Sequence, residues 1–128
     1  MTCRDVLVVD DDPDLVEIML FLLIEAGYAA RSASNGKQAL EEVLARKPGV
    51  VLLDMNMPVM DGRQCARELR TRYGSSIPIV AVTAAEHARR CGDEIGADDV
   101  VAKPFDPDQL VAVVDRIVAE PEIAPSKR

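Results

Sequence analysis

Apolar and polar positions follow one another along this chain in two rhythms. Short apolar runs stand at Val6–Val9, Tyr28–Arg31, Val50–Leu53, Ile79–Val82 and Val100–Ala102. Between and after them come longer stretches in which apolar residues recur every three to four positions: Pro13–Ala26, Gly36–Arg46, Gly62–Tyr73, Glu86–Ile95 and Pro107–Ala119. The first rhythm predicts strands and the second amphipathic helices. Helix starts carry matching caps. Asp12-Pro13 and Asp106-Pro107 each set a capping carboxylate before a proline at the first helical position, and Asn35 is followed by Gln38 in an approximate capping box. Gly27, Gly74 and Gly96 stand where helices should stop. Strict strand–helix alternation predicts a mostly parallel sheet with right-handed crossovers and helices on both faces. The first, third and fourth apolar runs are unbroken, as strands covered on both sides should be, whereas Tyr28-Ala29-Ala30-Arg31 suits an edge.

Two helices hold more apolar residues than a single core face needs. In the first, Leu15, Ile18, Met19, Leu22 and Leu23 follow core spacing, yet Val16, Leu20 and Ile24 form a second stripe with Phe21 beside it. Such a helix is buried all round or has a partner. In the last, Leu110, Val113, Val114 and Ile117 fit a core face, which leaves Val111 and Val118 off it.

A length of 128 residues suits one domain, here 1–120, followed by a short tail or the start of a linker over 121–128. A hydrophobic share of 48% is ample for a packed core. The net charge of −7 argues against direct nucleic-acid contact, which needs clustered Lys and Arg. Cys3, Cys65 and Cys91 are odd in number and widely spaced, and with one histidine they make no usual zinc site or redox pair. They read as reduced thiols of a cytoplasmic protein, since neither a signal-peptide pattern nor a membrane-length apolar stretch is present. His87 reads as a solvated side chain, and Met55, Met57 and Met60 as loop packing.

The chemistry gathers at the strand ends. Val50-Val51-Leu52-Leu53 runs into Asp54, after which Pro58 and Gly62 force a turn and Asp61 can cap the next helix. The first run ends in Asp10, Asp11 and Asp12. In an open α/β sheet the crevice outside the carboxyl ends of the strands is where ligands bind, so Asp10 and Asp11 are expected to face Asp54 there. Carboxylates brought together repel unless a cation compensates, and an all-oxygen set suits Mg²⁺. The fourth run ends at Thr83, a hydroxyl donor, and the fifth at Lys103, an ammonium that needs a charge partner. Acids, a hydroxyl and an ammonium around Mg²⁺ are equipment for phosphoryl transfer to a carboxylate nucleophile.

The stretches VVDDDP, LLDMNMPVMDG, VAVTAA and AKPF, in this order and each at a strand end, closely resemble the receiver domain of two-component response regulators, of the stand-alone chemotaxis-regulator type, from about Asp5 to Ala119. The resemblance implies a flavodoxin-like, doubly wound sheet of five parallel strands in the order 2-1-3-4-5, and a phosphoryl-accepting switch in a phosphorelay rather than an enzyme acting on an external substrate. It implies that Asp54 accepts the phosphoryl group from a kinase phosphohistidine. Mg²⁺ would be held by Asp11 and Asp54, by the backbone carbonyl of Asn56, and by Asp10 through water. Lys103 would pair with the phosphoryl oxygens, and Thr83 would bond to them and pull its loop. The second stripe on the first helix, Val16, Leu20 and Ile24, would dock a sensor histidine kinase or phosphotransfer protein, and output would pass by protein contact. Three residues before Lys103 the family usually has Tyr or Phe; Val100 stands there, and valine cannot make the inward swing of an aromatic ring. An alternative is an Mg²⁺-dependent phosphatase of the haloacid-dehalogenase type, whose nucleophile and acid stand two apart as Asp10 and Asp12 do. Against it, Asp12 precedes Pro13 as a cap would, and LLDMNMP is left without a role.

Overall fold

A computed structural model of the chain describes residues 5–55, 62–74, 76–84, 97–103 and 105–119. The elements are β1 (Asp5–Val9), α1 (Pro13–Glu25), β2 (Ala29–Ala33), α2 (Gly36–Ala45), β3 (Val50–Asp54), α3 (Gly62–Tyr73), β4 (Ile79–Ala84), β5 (Asp99–Lys103) and α4 (Pro107–Ala119). The helix expected over Glu86–Ile95 lies outside the described residues. All strand pairs are parallel and the sheet order is β2-β1-β3-β4-β5, as expected for a doubly wound fold.

Strand side chains point alternately to the two faces, and each face has its own core. Val6, Val8, Leu52, Val82 and Val101 pack under α1 and α4, with Met19, Leu23, Leu110 and Val114. Leu7, Val9, Val51, Leu53 and Ile79 pack under α2 and α3, with Ala39, Val43, Cys65 and Leu69. The inner strands β1 and β3 are buried throughout, in keeping with their apolar runs. Helix boundaries follow the caps. Asp12 Oδ1 accepts from the N–H groups of Asp14 and Leu15, and Gly27 takes φ 99° just past α1. Asn35 caps α2 as expected, but Gln38 reaches back to the N–H and hydroxyl of Ser34 instead of to the N–H of Asn35.

Two helical faces differ from the pattern reading. Ile18, placed in the core by spacing, is 54% exposed, while Val16 and Leu20 lie half-buried against the core. With apolar residues nearly all round α1, periodicity does not choose the buried side; packing on β1 and β2 does, and it centres on Met19 and Leu23. On α4 the buried stripe is Leu110, Val114 and Val118, so Val118 belongs to the core and is unavailable to an outside partner.

The edge strand β2 starts one residue later than Tyr28 and runs on through polar Arg31 and Ser32. Tyr28 is instead buried, and its hydroxyl donates to Asp115 of α4. Arg31 is tolerated because it is fully engaged. It pairs with Asp5 at 3.0 Å and Glu42 at 2.9 Å, and donates to the carbonyls of Glu42 and Arg46 at the end of α2. Burial alone would lower its pKa, but the hydrogen bonds and charges of Asp5 and Glu42 outweigh that and raise it. Arg46 also reaches the buried Asp5 carboxylate, at 3.2 Å. Arg31→Ala leaves Asp5 with Arg46 as its one cation among the described residues and is expected to cost about 3 kcal/mol, the low end for breaking a buried pair. Urea denaturation measures it, and a loss below about 1 kcal/mol, the range of a surface pair, would mean that Arg46 satisfies Asp5 unaided.

Candidate functional site

The register of the sheet carries four candidate site positions to one edge. Val9 pairs with Leu53, Asp54 with Val82, Thr83 with Ala102 and Ala84 with Lys103. Asp10 therefore leaves β1 beside the end of β3, at the point where the chain direction through the sheet reverses. Asp10 and Asp54 are buried at 3% and 4% exposure, and Thr83 is buried as well. Asp11 is exposed at the mouth of the crevice. One oxygen from each of Asp10, Asp11 and Asp54 falls within 4.8 Å of the other two.

Lys103 Nζ stands between the two buried acids, 3.5 Å from Asp10 Oδ2 and 3.5 Å from Asp54 Oδ1. These are ion-pair distances, longer than a tight charged hydrogen bond. Three carboxylates gathered beside one ammonium repel one another, and a further cation would relieve that repulsion. Asp10 Oδ2 adds a second sign. It is buried and has no hydrogen-bond partner among the described residues. A buried carboxylate oxygen with an ammonium at ion-pair distance and no hydrogen bond has capacity for a further ligand. The donor set is oxygen only, which suits a hard divalent cation. Opposite ligands of Mg²⁺ lie about 4.2 Å apart, so an oxygen spread of up to 4.8 Å admits the ion with one carboxylate acting through water.

Asp12, the acid that a phosphatase would need, is occupied: its carboxylate caps α1 at 3.1 Å and 3.4 Å. Its Oδ1 is thus engaged as a cap, the role that its place before Pro13 implies. Asn56 lies outside the described residues. Val100 is half-buried and packs with Ala97 on Met55 and Ala81, on the same side of the sheet as α2 and α3. On α1, the described exposed apolar side chains are Ile18, Phe21 and Ile24, with half-buried Val16 and Leu20 next to them. No helix among the described residues is long and apolar enough to cross a membrane.

Sequence reasoning named Asp10, Asp11, Asp54, Thr83 and Lys103 and missed the network around Arg31, because its partners Asp5 in β1 and Glu42 and Arg46 at the end of α2 are joined by no motif.

Residues 6–115 match the response regulator receiver domain family. Over 123 residues the chain is 36% identical to the alkaline phosphatase synthesis transcriptional regulatory protein PhoP of Bacillus subtilis, covering 94% of this chain and 51% of PhoP. It thus spans about half the length of that relative. Among solved structures, it resembles a putative response regulator from Chloroflexus aurantiacus, with TM-score 0.86 and 33% identity over 92% of this chain and 99% of the other. It also resembles the response regulator TrrA from Thermotoga maritima in complex with Mg²⁺-BeF, with TM-score 0.81 and 33% identity over 89% of this chain and 98% of that one.

Proposed function

The chain belongs to the response regulator receiver domain family, the phosphoryl-accepting part of two-component signalling, and we propose that Asp54 is its phosphoryl acceptor. The observation that carries this reading is the buried Asp54 carboxylate facing Lys103 beside Asp10 and Asp11. In the step, Asp54 attacks the phosphorus of a phosphohistidine, the P–O bond forms, the P–N bond breaks and the imidazole leaves. Lys103 meets the negative charge on the phosphoryl oxygens as it develops, from a position already fixed by Asp10 and Asp54. Thr83, at the end of β4, donates its hydroxyl to the same oxygens. Asp10, Asp11 and Asp54 would hold Mg²⁺, with Asn56 adding its backbone carbonyl; bound there, the ion supplies positive charge to the transferring group. That TrrA is found with Mg²⁺-BeF supports the choice of ion.

In this reading residues 1–120 are the receiver and 121–128 a tail or linker. The protein is cytoplasmic and turns over no external substrate. A sensor histidine kinase or phosphotransfer protein supplies the phosphoryl group, and output passes by contact with another protein. Valine at position 100 packs on Met55 and Ala81 with little volume to move, so the readout runs through Thr83 and its loop.

The test is intact-mass measurement after incubation with a small acyl phosphate, with Mg²⁺ and with chelator. One added phosphoryl group that needs Mg²⁺ is expected; no adduct in either condition would overturn the reading. The donor docks on α1 around Val16, Leu20 and Ile24. Ile24→Glu puts a charge on that surface without opening the core, because Ile24 is 55% exposed. It is expected to slow transfer from the phosphohistidine donor about tenfold, as loss of an apolar anchor of over 1 kcal/mol does, and to spare the small acyl phosphate. Equal slowing with both donors would exclude docking there.

A further inference from the structure

The turn after β1 is held by hydrogen bonds that converge on Asp10. Its backbone N–H donates to the carbonyl of Ala33 at the end of β2, at 3.1 Å. The Asp12 N–H donates to Asp10 Oδ1 at 2.9 Å. Oδ2 is then left buried with no hydrogen-bond partner among the described residues, 3.5 Å from Lys103 Nζ. Where the Asp12 N–H stands thus decides which oxygen of Asp10 is tied and which is offered to the site. The side chain of the same residue is tied to the start of α1. Asp12 is the N-cap of α1, extended at φ −92° and ψ 105°, with its Oδ1 accepting from the N–H groups of Asp14 and Leu15. Pro13, whose own φ is fixed, follows directly.

We propose that Asp12 is a positioning residue for Asp10: by capping α1 it aims its own N–H at Asp10 Oδ1 and so presents Oδ2 to the cation. The proposal rests on the reading of Asp10, Asp11 and Asp54 as the Mg²⁺ site. Groups that orient a metal ligand are commonly worth 10–100-fold in metal affinity. Asp12 is exposed, so its charge acts through a high dielectric, and the neutral cap Asp12→Asn separates charge from geometry.

Calorimetric titration of the full chain with Mg²⁺ tests this on four forms: native, Asp12→Ala, Asp12→Asn and Asn35→Ala. Asparagine caps a helix as well as aspartate but carries no charge. Asn35→Ala removes the α2 cap, whose Oδ1 accepts from the Gln38 N–H at 2.8 Å, and reports what losing any cap does. Asp12→Ala is expected to bind Mg²⁺ about tenfold more weakly, with Asp12→Asn and Asn35→Ala within about twofold of native. Equal weakening in Asp12→Asn would assign the effect to charge, and equal weakening in Asn35→Ala to general loosening. Either result, or unchanged affinity in Asp12→Ala, would overturn the proposal. Hydrogen exchange at the Asp12 amide, read without metal, separates this idea from the metal reading. Protection is expected in native and Asp12→Asn and its loss in Asp12→Ala. If that pattern holds but native protein takes no Mg²⁺, the metal reading fails while the positioning of Asp10 stands. An unprotected Asp12 amide in native protein would sink the positioning whatever the metal does.

Discussion

Asp54→Asn is expected to abolish phosphoryl uptake, and Lys103→Ala to slow it by about 10²–10³-fold, the usual effect of removing one fixed charge-stabilising donor. The two substitutions remove different things. An amide has nearly the shape of a carboxylate and can still accept from Lys103, so Asp54→Asn keeps the buried edge intact while taking away the nucleophile. A phosphoryl group still found on Asp54→Asn would assign the acceptor role to another side chain, with Asp10 and Asp11 the nearest acids. Lys103→Ala keeps the nucleophile and removes the ammonium that lies 3.5 Å from both buried acids. That ammonium competes with a divalent ion for the same oxygens. The Lys103→Ala protein is therefore expected to bind Mg²⁺ at least as tightly as native while reacting more slowly. Intact-mass time courses and calorimetry read the two effects separately. Loss of both together would mean that the site had collapsed, and the role of Lys103 would then be structural.

Much of this candidate site was legible because its residues follow runs of buried β-strand. Once the strand order places β1 between β2 and β3, the carboxyl ends must converge, and Asp10, Asp54, Thr83 and Lys103 have nowhere else to go. Element boundaries were legible where a cap marks them, as at Asp12 and Asn35. They were less so at β2, where Arg31 and Ser32 interrupt the apolar run but stay in the strand because Asp5 and Glu42 hold the guanidinium. The faces of α1 and α4 were misread at Ile18 and Val118 for a related reason. Spacing gives the period of a helix, but its phase is set by what it packs against when both sides are apolar. The sequence separates Asp12 as a cap from Asp10 as a ligand candidate, but does not reveal that Asp10 is buried with one oxygen tied to the Asp12 N–H and the other without a hydrogen bond among the described residues.

Cys65 is expected to resist alkylation in the native protein by at least about 10³-fold relative to an ordinary thiol at pH 8. It is fully buried among the core residues under α2 and α3, with Sγ 3.9 Å from the carbonyl of Gly36. Burial, with a smaller push from the charge of Glu68, raises its pKa to about 12. An ordinary thiol near 8.5 is about one-quarter ionised at pH 8, whereas one near 12 is ionised in about one molecule in 10⁴. The thiolate is the reacting form, so labelling of Cys65 followed by peptide mass mapping should report unfolding rather than native reactivity. Fast native labelling would contradict the packing of α3 on the sheet. The same shift fixes a sign for stability. The folded thiol keeps its proton above the pH at which the unfolded thiol loses it, so the contribution is intact below about 8.5 and falls away as pH rises from there toward 12. Between pH 8 and pH 10 the native chain is expected to lose about 2 kcal/mol more than Cys65→Ala does, at about 1.4 kcal/mol per pH unit above the unfolded pKa. Urea denaturation of both forms at the two pH values measures it. Equal losses would mean that the buried thiol ionises as freely as an exposed one, which a closed core between α2, α3 and the sheet does not allow.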